Sequence, residues 1–536
     1  MKLAILSFVA LAANGVLGRG ANCSSSSSNN LTVQTSTGTY TGLIDPKFPK
    51  TRQFRAIPFA KPPVLSRRWL APQKLSSSSE HHYATRFPPS CPQFVTAVTS
   101  LWNQNLTKGN LIYNGNQNDS SGLVGEATSE DCLYMAIWTP TAASNNTGLP
   151  VLFFMTGGGF EIGGVDIPWQ LPPSWVERSQ SHIVVTINYR LSIFGFPKAR
   201  GLANQTQSQN LGILDQRAAL EWVRDNIAAF GGDPNRITHW GQSAGAFGAD
   251  YHAYAFYQDP IAQAYFLQSG TVFATSPPKD PMHSNFSFVA RHVGCETPDG
   301  AAELDCMRRV PFAHIVNFIG QYGDQGATPA LSFGVIPDDR LVFLNYTARA
   351  EAGKIARAPV IISTTANEFS SLVPYPVNNL TAGPYQPAVT ARDIEVAVCP
   401  TLNATVYRNR MGAGMPVFRF QHAGTFPNLN YYKWLGAYHA SDLPIVFGTY
   451  GLLDGIANTT SFEVEVSQSM QDHVLAFVKD PFNGPQKTMG WNPLVASDPQ
   501  GGDLIRFGAD GKVSQHVDGV EVDGACEGLV KYNPFP

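Results

Sequence analysis

The stretch Gly241-Gln242-Ser243-Ala244-Gly245 holds the clearest chemistry in the sequence. A G-x-S-x-G run seats a serine on a sharp strand-to-helix turn, where its hydroxyl clears the sheet edge and meets the positive end of the helix. Side chains at Gly241 or Gly245 would collide with neighbouring elements in such a turn. The pentapeptide alone is weak, because chance gives roughly 0.3 of them in a chain of this composition. Its surroundings add specificity: the β-type run Ile237-Thr238-His239-Trp240 precedes it and an Ala/Gly-rich segment follows. The bland alternative is an incidental serine in a tight turn. His239, four residues before the serine, falls on the strand and reads as structural.

A serine nucleophile also needs donors for the oxyanion it creates. Thr156-Gly157-Gly158-Gly159-Phe160 follows the apolar run 151–155, and glycines there let backbone N–H groups approach a substrate oxygen. Gly158 and Gly159, together with Ala244 directly after the serine, are the expected oxyanion donors. A phosphate-binding loop is the competing reading of the glycines, but no G-x-x-x-x-G-K-[ST] or G-x-G-x-x-G accompanies them.

The elements that must carry these groups are legible as pattern. Residues 151–155 and 183–187 read as buried strands, and 216–230 as a helix with Ala219, Leu220, Val223, Ile227 and Phe230 on one face. Strand–helix alternation of this kind implies the α/β class, a mostly parallel sheet covered on both faces. Serine runs at 24–28 and 76–79 and the Asn/Gly-rich stretch 103–121 read as irregular structure. No internal repeat and no domain boundary follows residue 19, so 19–536 is expected to be a single domain.

Of 536 residues, 43 % are hydrophobic and 14 % charged, enough for a large core and too few charges for a disordered chain. The net charge of −3, without any basic stripe, gives no reason to expect nucleic acid as a partner. Lys2, the apolar stretch 3–13 and Val16-Leu17-Gly18 read as a secretory signal over residues 1–18. The apolar run is too short to span a bilayer, and residues 531–536 lack the hydrophobic tail of a lipid-anchor signal. A protein secreted without a stable membrane anchor is expected. Sequons at Asn22, Asn30, Asn105, Asn118, Asn145, Asn204, Asn285, Asn345, Asn379, Asn403 and Asn458 agree with that route, where chance gives roughly four. The seven cysteines lack the C-x-x-C spacing of zinc sites, and an oxidising compartment favours disulfides. An odd count leaves one over, with Cys23 the candidate.

Beyond these local readings, the chain resembles the type-B carboxylesterase and lipase family, which includes fungal lipases, bile-salt-activated lipases, cholinesterases and the inactive neuroligins. The resemblance rests on FRAIPFAKPP at 54–63, Ser129-Glu130-Asp131-Cys132-Leu133-Tyr134, Asn188-Tyr189-Arg190 and NLGILDQRAALEWVRDNIAAFGGDP at 210–234, as well as the serine pentapeptide. It implies an α/β-hydrolase fold, with a central mostly parallel twisted sheet and helices on both faces, and a serine ester hydrolase that needs no metal or organic cofactor. It also implies the rest of a Ser-Glu-His triad. Glu368, in Ser363-Thr364-Thr365-Ala366-Asn367-Glu368-Phe369, occupies the acid position, although the glycines of the family pattern are missing. His439, in Gly436-Ala437-Tyr438-His439-Ala440-Ser441-Asp442, matches the histidine loop.

The same resemblance implies the disulfides Cys91–Cys132, Cys295–Cys306 and Cys399–Cys526 and a structural ion pair between Arg68 and Glu130. The Cys91–Cys132 loop is the region that forms a lid in the related lipases. Phe94, Val95, Val98, Leu101 and Trp102 fit either a short amphipathic helix there or ordinary core packing. Sugar at Asn105 and Asn118 on this loop would disfavour deep docking at a lipid interface.

Departures from the family bear on the substrate. Thr156 replaces the usual His or Tyr before the glycines, which backbone donors tolerate. Gln242 stands where Glu is common, removing a negative charge beside the serine. Trp102 is far from the second cysteine, where cholinesterases place their choline-binding Trp. The expected partner is a neutral or hydrophobic small-molecule ester. A lipase, a natural-product tailoring esterase or an acyltransferase on the same triad, and a neuroligin-like binding protein, are the alternatives. Both Ser243 and His439 being present weighs against the last.

Overall fold

A computed structural model describes residues 31–98, 102, 121–125, 127–203, 207–274, 280, 282–376, 378–410, 415–455, 457–494 and 502–536. The leader expected over residues 1–18, Cys23, Leu101 and the sequons at Asn22, Asn30, Asn105, Asn118 and Asn204 lie outside them.

Eleven strands build the main sheet. In chain order they are β1 (Leu43–Ile44), β2 (Thr51–Pro58), β3 (Tyr134–Pro140), β4 (Leu149–Met155), β5 (Ile183–Ile187) and β6 (Gly232–Gln242). Then follow β7 (Ala264–Gln268), β8 (Val360–Thr365), β9 (Val417–His422), β10 (Asp503–Phe507) and β11 (Ser514–Asp518). Their order across the sheet is β1-β2-β3-β5-β4-β6-β7-β8-β9-β10-β11. The run from β5 to β10 is parallel throughout, with antiparallel pairs at both edges. The strands expected at 151–155 and 183–187 are β4 and β5.

The apolar runs of the parallel strands have a physical cause: both faces of the sheet are covered. Along β4, Val151, Phe153 and Met155 enter one core and Leu152 and Phe154 the other. The first core takes Ala219, Leu220 and Val223 of α2 (Leu211–Asn226) and Ala246 and Ala249 of α3 (Ala244–Ala255). Ala404 of α4 (Cys399–Arg410) joins the same core. The second core takes Trp175 of α1 (Pro173–Ser179) and Val466, Met470 and Val474 of α5 (Ser461–Lys479). The helix expected over 216–230 is α2 followed by a 3₁₀ turn, Ile227–Phe230.

Three disulfides join Cys91 to Cys132, Cys295 to Cys306 and Cys399 to Cys526. Arg68 and Glu130 form a two-pronged ion pair, Nε to Oε1 at 2.6 Å and Nη2 to Oε2 at 2.5 Å. Asn145, Asn345, Asn379, Asn403 and Asn458 are exposed. Asn285 differs from these: it is buried, and its Nδ2 donates to the Ser332 carbonyl at 3.2 Å.

The helix reading of the segment after Cys91 is corrected at Phe94 and Val95. Phe94–Val95 is a strand paired with Leu123–Val124, Val95 is buried, and Phe94 packs on the helix Phe312–Asp324 at Gly320. The core-packing alternative therefore holds for these two residues, while Val98 is exposed. Among the described residues, no helix is long and apolar enough to cross a membrane.

Candidate active site

Ser243 sits between β6 and α3 with φ 53° and ψ −123°, a strained backbone for a residue with a Cβ. The turn is closed by its neighbours. A Cβ on Gly241 would collide with the backbone of Gly245, and one on Gly245 with the Met155 carbonyl at the end of β4. Both glycines are therefore needed for α3 to press against β4, as the pentapeptide implied. The Ser243 N–H donates to the Gln268 carbonyl at 2.8 Å, which ties the turn to the end of β7.

The glycine loop after β4 lies against this turn. A Cβ on Gly157 would meet Ser243 Cβ at 2.9 Å. Gly158 and Gly159 have φ of +105° and +66°, and a Cβ on Gly158 would strike the Ile162 carbonyl. The Tyr189 hydroxyl anchors the loop from below, donating to the Thr156 carbonyl at 3.0 Å. Asn188 donates to the Pro89 and Cys132 carbonyls, and buried Arg190 forks onto Asp215 of α2. The Asn188-Tyr189-Arg190 motif thus fastens the glycine loop, the first disulfide and α2 to one another. Gly159 and Ala244 line a cavity together with Ser243.

Glu368 follows β8 and His439 lies in the loop after β9, so the site gathers at the carboxyl ends of the parallel strands, where crevices form in such sheets. Glu368 is buried. Its Oε1 accepts from the Thr365 N–H at 2.7 Å, and its Oε2 meets His439 Nδ1 at 2.5 Å. Asn367 bridges the two loops, donating from Nδ2 to the Trp434 and Leu435 carbonyls and from its N–H to Ala437. Ser243, Glu368 and His439 line one cavity of about 130 Å³.

The contact assigns the histidine tautomer. With Nδ1–H donated to a carboxylate, Nε2 is left as the basic nitrogen. Gln242 Nε2 lies 3.3 Å from it. Burial pushes the His439 pKa down, but the charge and hydrogen bond of Glu368 outweigh burial, and Asp442 adds to them, so the net movement is upward. Burial pushes Glu368 up, and the His439 charge and hydrogen bond with the Thr365 N–H bring it below its ordinary value.

Two buried acids close to Glu368 and His439, Asp393 and Asp442, escaped the sequence reading. Asp393 accepts from the Phe369 N–H at 2.8 Å and so braces the turn after Glu368 where the family pattern has glycine. Burial pushes it up to about 8, against the pull of that N–H. Asp442 accepts from Gln268 Nε2 at 2.5 Å and is pushed up to about 7, first by burial. Near neutral pH these environments leave Glu368 as the ionised carboxylate that faces the imidazole, a separation of roles by surroundings. No signal in the sequence marks Asp393, because its partner is a backbone N–H on a distant loop. His239 is buried on β6, its Nε2 3.4 Å from Met155 Sδ, in a structural place as expected.

Ser243, Glu368 and His439 around one cavity of a doubly covered parallel sheet accord with the class of the chain, a carboxylic ester hydrolase of the α/β-hydrolase fold. It belongs to the carboxylesterase family, whose model matches residues 29–394. It is similar to secreted lipase 5 of Gibberella zeae, 36 % identical over 505 residues that cover 90 % of this chain and 91 % of the relative. Chlorogenic acid esterase of Aspergillus niger is also 36 % identical, over 512 residues that cover 92 % and 94 %. Acetylcholinesterase of Bungarus fasciatus is 26 % identical over 529 residues, covering 88 % and 82 %.

Proposed function

We propose that the chain is a secreted esterase that cleaves neutral or hydrophobic esters through an acyl-enzyme on Ser243. A serine hydroxyl is a weak nucleophile near neutral pH, so His439 Nε2 takes its proton as the oxygen attacks the ester carbonyl. Glu368 holds the imidazole in the productive tautomer and stabilises the imidazolium. The N–H groups of Gly158, Gly159 and Ala244 receive the oxyanion, and His439 returns the proton to the leaving alcohol. Water then repeats the sequence on the acyl-enzyme, which releases the acid.

The observation that carries this reading is the buried Glu368–His439 contact opening onto the cavity that Ser243 shares. A second cavity of about 600 Å³ reaches the same serine and is walled largely by apolar side chains such as Phe247, Val335 and Phe343, which supports a hydrophobic ester arm. Secretion is supported by the leader expected over residues 1–18, the three disulfides and the names of the secreted relatives. Gln242 in place of an acid beside the serine disfavours a cationic choline ester.

The test is a p-nitrophenyl ester panel of rising chain length on wild type and Ser243→Ala. Turnover in the variant is expected to fall by several orders of magnitude, about 10⁶-fold where a serine nucleophile carries the chemistry. Near-normal turnover in the variant would overturn the assignment.

A further inference from the structure

Asp393 is fully buried and opens a π-helical turn, Asp393–Val398, that leads into α4. Single turns of this kind are uncommon and recur at functional sites. The Cys399–Cys526 disulfide pins the start of α4 directly after it. Asp393 Oδ1 accepts from the Phe369 N–H at 2.8 Å, and its Oδ2 has no hydrogen-bond partner among the described residues. A buried carboxyl with one oxygen unsatisfied costs stability, so the single contact it does make calls for a reason. That contact falls on the peptide group joining Glu368 to Phe369, and it fixes the backbone rotation that aims the Glu368 side chain. The residues just before Glu368 are gripped as well. The Tyr532 hydroxyl donates to the Ala366 carbonyl at 2.8 Å, and the Ala366 and Asn367 N–H groups donate to the His422 and Ala437 carbonyls. Asp393 completes this grip on the far side of Glu368.

We infer that Asp393 is a positioning residue for Glu368, a buried acceptor that keeps the acid of the triad aimed at His439 and contributes no charge of its own. This rests on the triad reading of Ser243, Glu368 and His439 and deepens it by one residue. Asp393 lines neither cavity at Ser243, so its effect passes through Glu368. Burial and the Glu368 charge push its carboxyl up to about 8, against the pull of the Phe369 N–H, and near neutral pH it is mostly the uncharged acid. Both carboxyls also act on the buried Tyr532 hydroxyl. Arg392 and Glu395, on its own stretch of helix, are exposed and pair with each other at 3.8 Å. An asparagine in the same place offers the same acceptor, with its amide nitrogen where the unpartnered oxygen stands. A side chain without an acceptor leaves the Phe369 N–H buried and unpaired, and the turn must shift to recover a partner. Catalytic groups tolerate little of this, since a displacement of about 1 Å can cost on the order of 10²-fold in rate.

The experiment measures p-nitrophenyl ester hydrolysis across pH for wild type, Asp393→Asn, Asp393→Ala and Asp393→Leu, with rates referred to folded protein. Asp393→Asn is expected to keep kcat within about threefold of wild type and to leave the acidic limb of kcat/KM in place, because the acceptor is retained. Asp393→Ala should lower kcat about tenfold or more with KM within about threefold, because the loss is felt in the transition state and not in binding. Its acidic limb should also move to lower pH, as Glu368 loses its hold on the imidazole. Asp393→Leu is read in the same way, so whichever of the two folds supplies the comparison. Wild-type kcat in Ala or Leu overturns the inference, and so does a fall in kcat with the limb unmoved, which a merely structural role would give. A loss in Asp393→Asn as deep as in the other variants overturns it too, since the acceptor would then not be what matters. Wild type that hydrolyses no ester overturns the esterase reading and the inference with it.

Discussion

Glu368 is held on both oxygens, by the Thr365 N–H and by His439, and so it cannot turn away from the imidazole without losing a buried hydrogen bond. Its negative charge is what lifts the His439 pKa above the ordinary value of about 6.5 despite burial. In the proposed mechanism the base form of His439 does the chemistry, so kcat/KM should rise with pH through that raised value and fall away below it. Glu368→Gln removes the charge and leaves burial, which acts downward. The acidic limb of the kcat/KM profile should then move to lower pH while its plateau falls by about 10⁴-fold, as loss of a triad acid typically does. A limb that stays in place in the variant would detach Glu368 from the titration of His439. At this scale the sequence carried the chemistry unevenly. Ser243 and the glycines around it are legible because the turn itself demands glycine. Glu368 is recognisable only by resemblance, since any buried glutamate on a strand end looks the same in one dimension. Asp393 leaves no trace, because burial is what gives it its character.

The turn that lifts Ser243 is an element-level device. A strand (β6), a strained residue and a helix (α3) fit against β4 only while positions 241 and 245 lack side chains. Gly245→Ala places a methyl group into the Met155 carbonyl and forces α3 away from the sheet. Overpacking of this kind costs about 1–3 kcal/mol, and the displaced helix carries the Ala244 N–H out of the proposed oxyanion site. Thermal unfolding should show the stability loss, and activity should fall by more than the loss of folded protein explains. An active Gly245→Ala protein of wild-type stability would refute the packing argument. The strands β4 and β5 and the helix α2 were legible in the sequence because continuous apolar runs and a 3.6-residue period have one structural reading each. Phe94–Val95 was not: a two-residue strand has no period of its own, and its partner Leu123–Val124 is far along the chain. The burial of Asn285 was illegible for a similar reason, since three residues of sequence say nothing of the Ser332 carbonyl that its side chain meets.

Across the whole molecule, the active site depends on distances along the chain collapsing. Residues 243, 368 and 439 follow β6, β8 and β9, and the glycine loop follows β4. The sheet order sets β4 beside β6, with β8 and β9 following β7, so all four loops open at the same edge. The fold class was readable from alternation of strands and helices, but the cavities were not, because their walls come from loops far apart in sequence. Whether the convergence makes one oxygen uniquely reactive is what a fluorophosphonate probe measures, since it phosphonylates activated serines. The expected result is loss of all esterase activity with one probe bound per chain, found by peptide mass mapping on Ser243. Complete inactivation with Ser243 unmodified, or a stoichiometric adduct on a different serine, would contradict it.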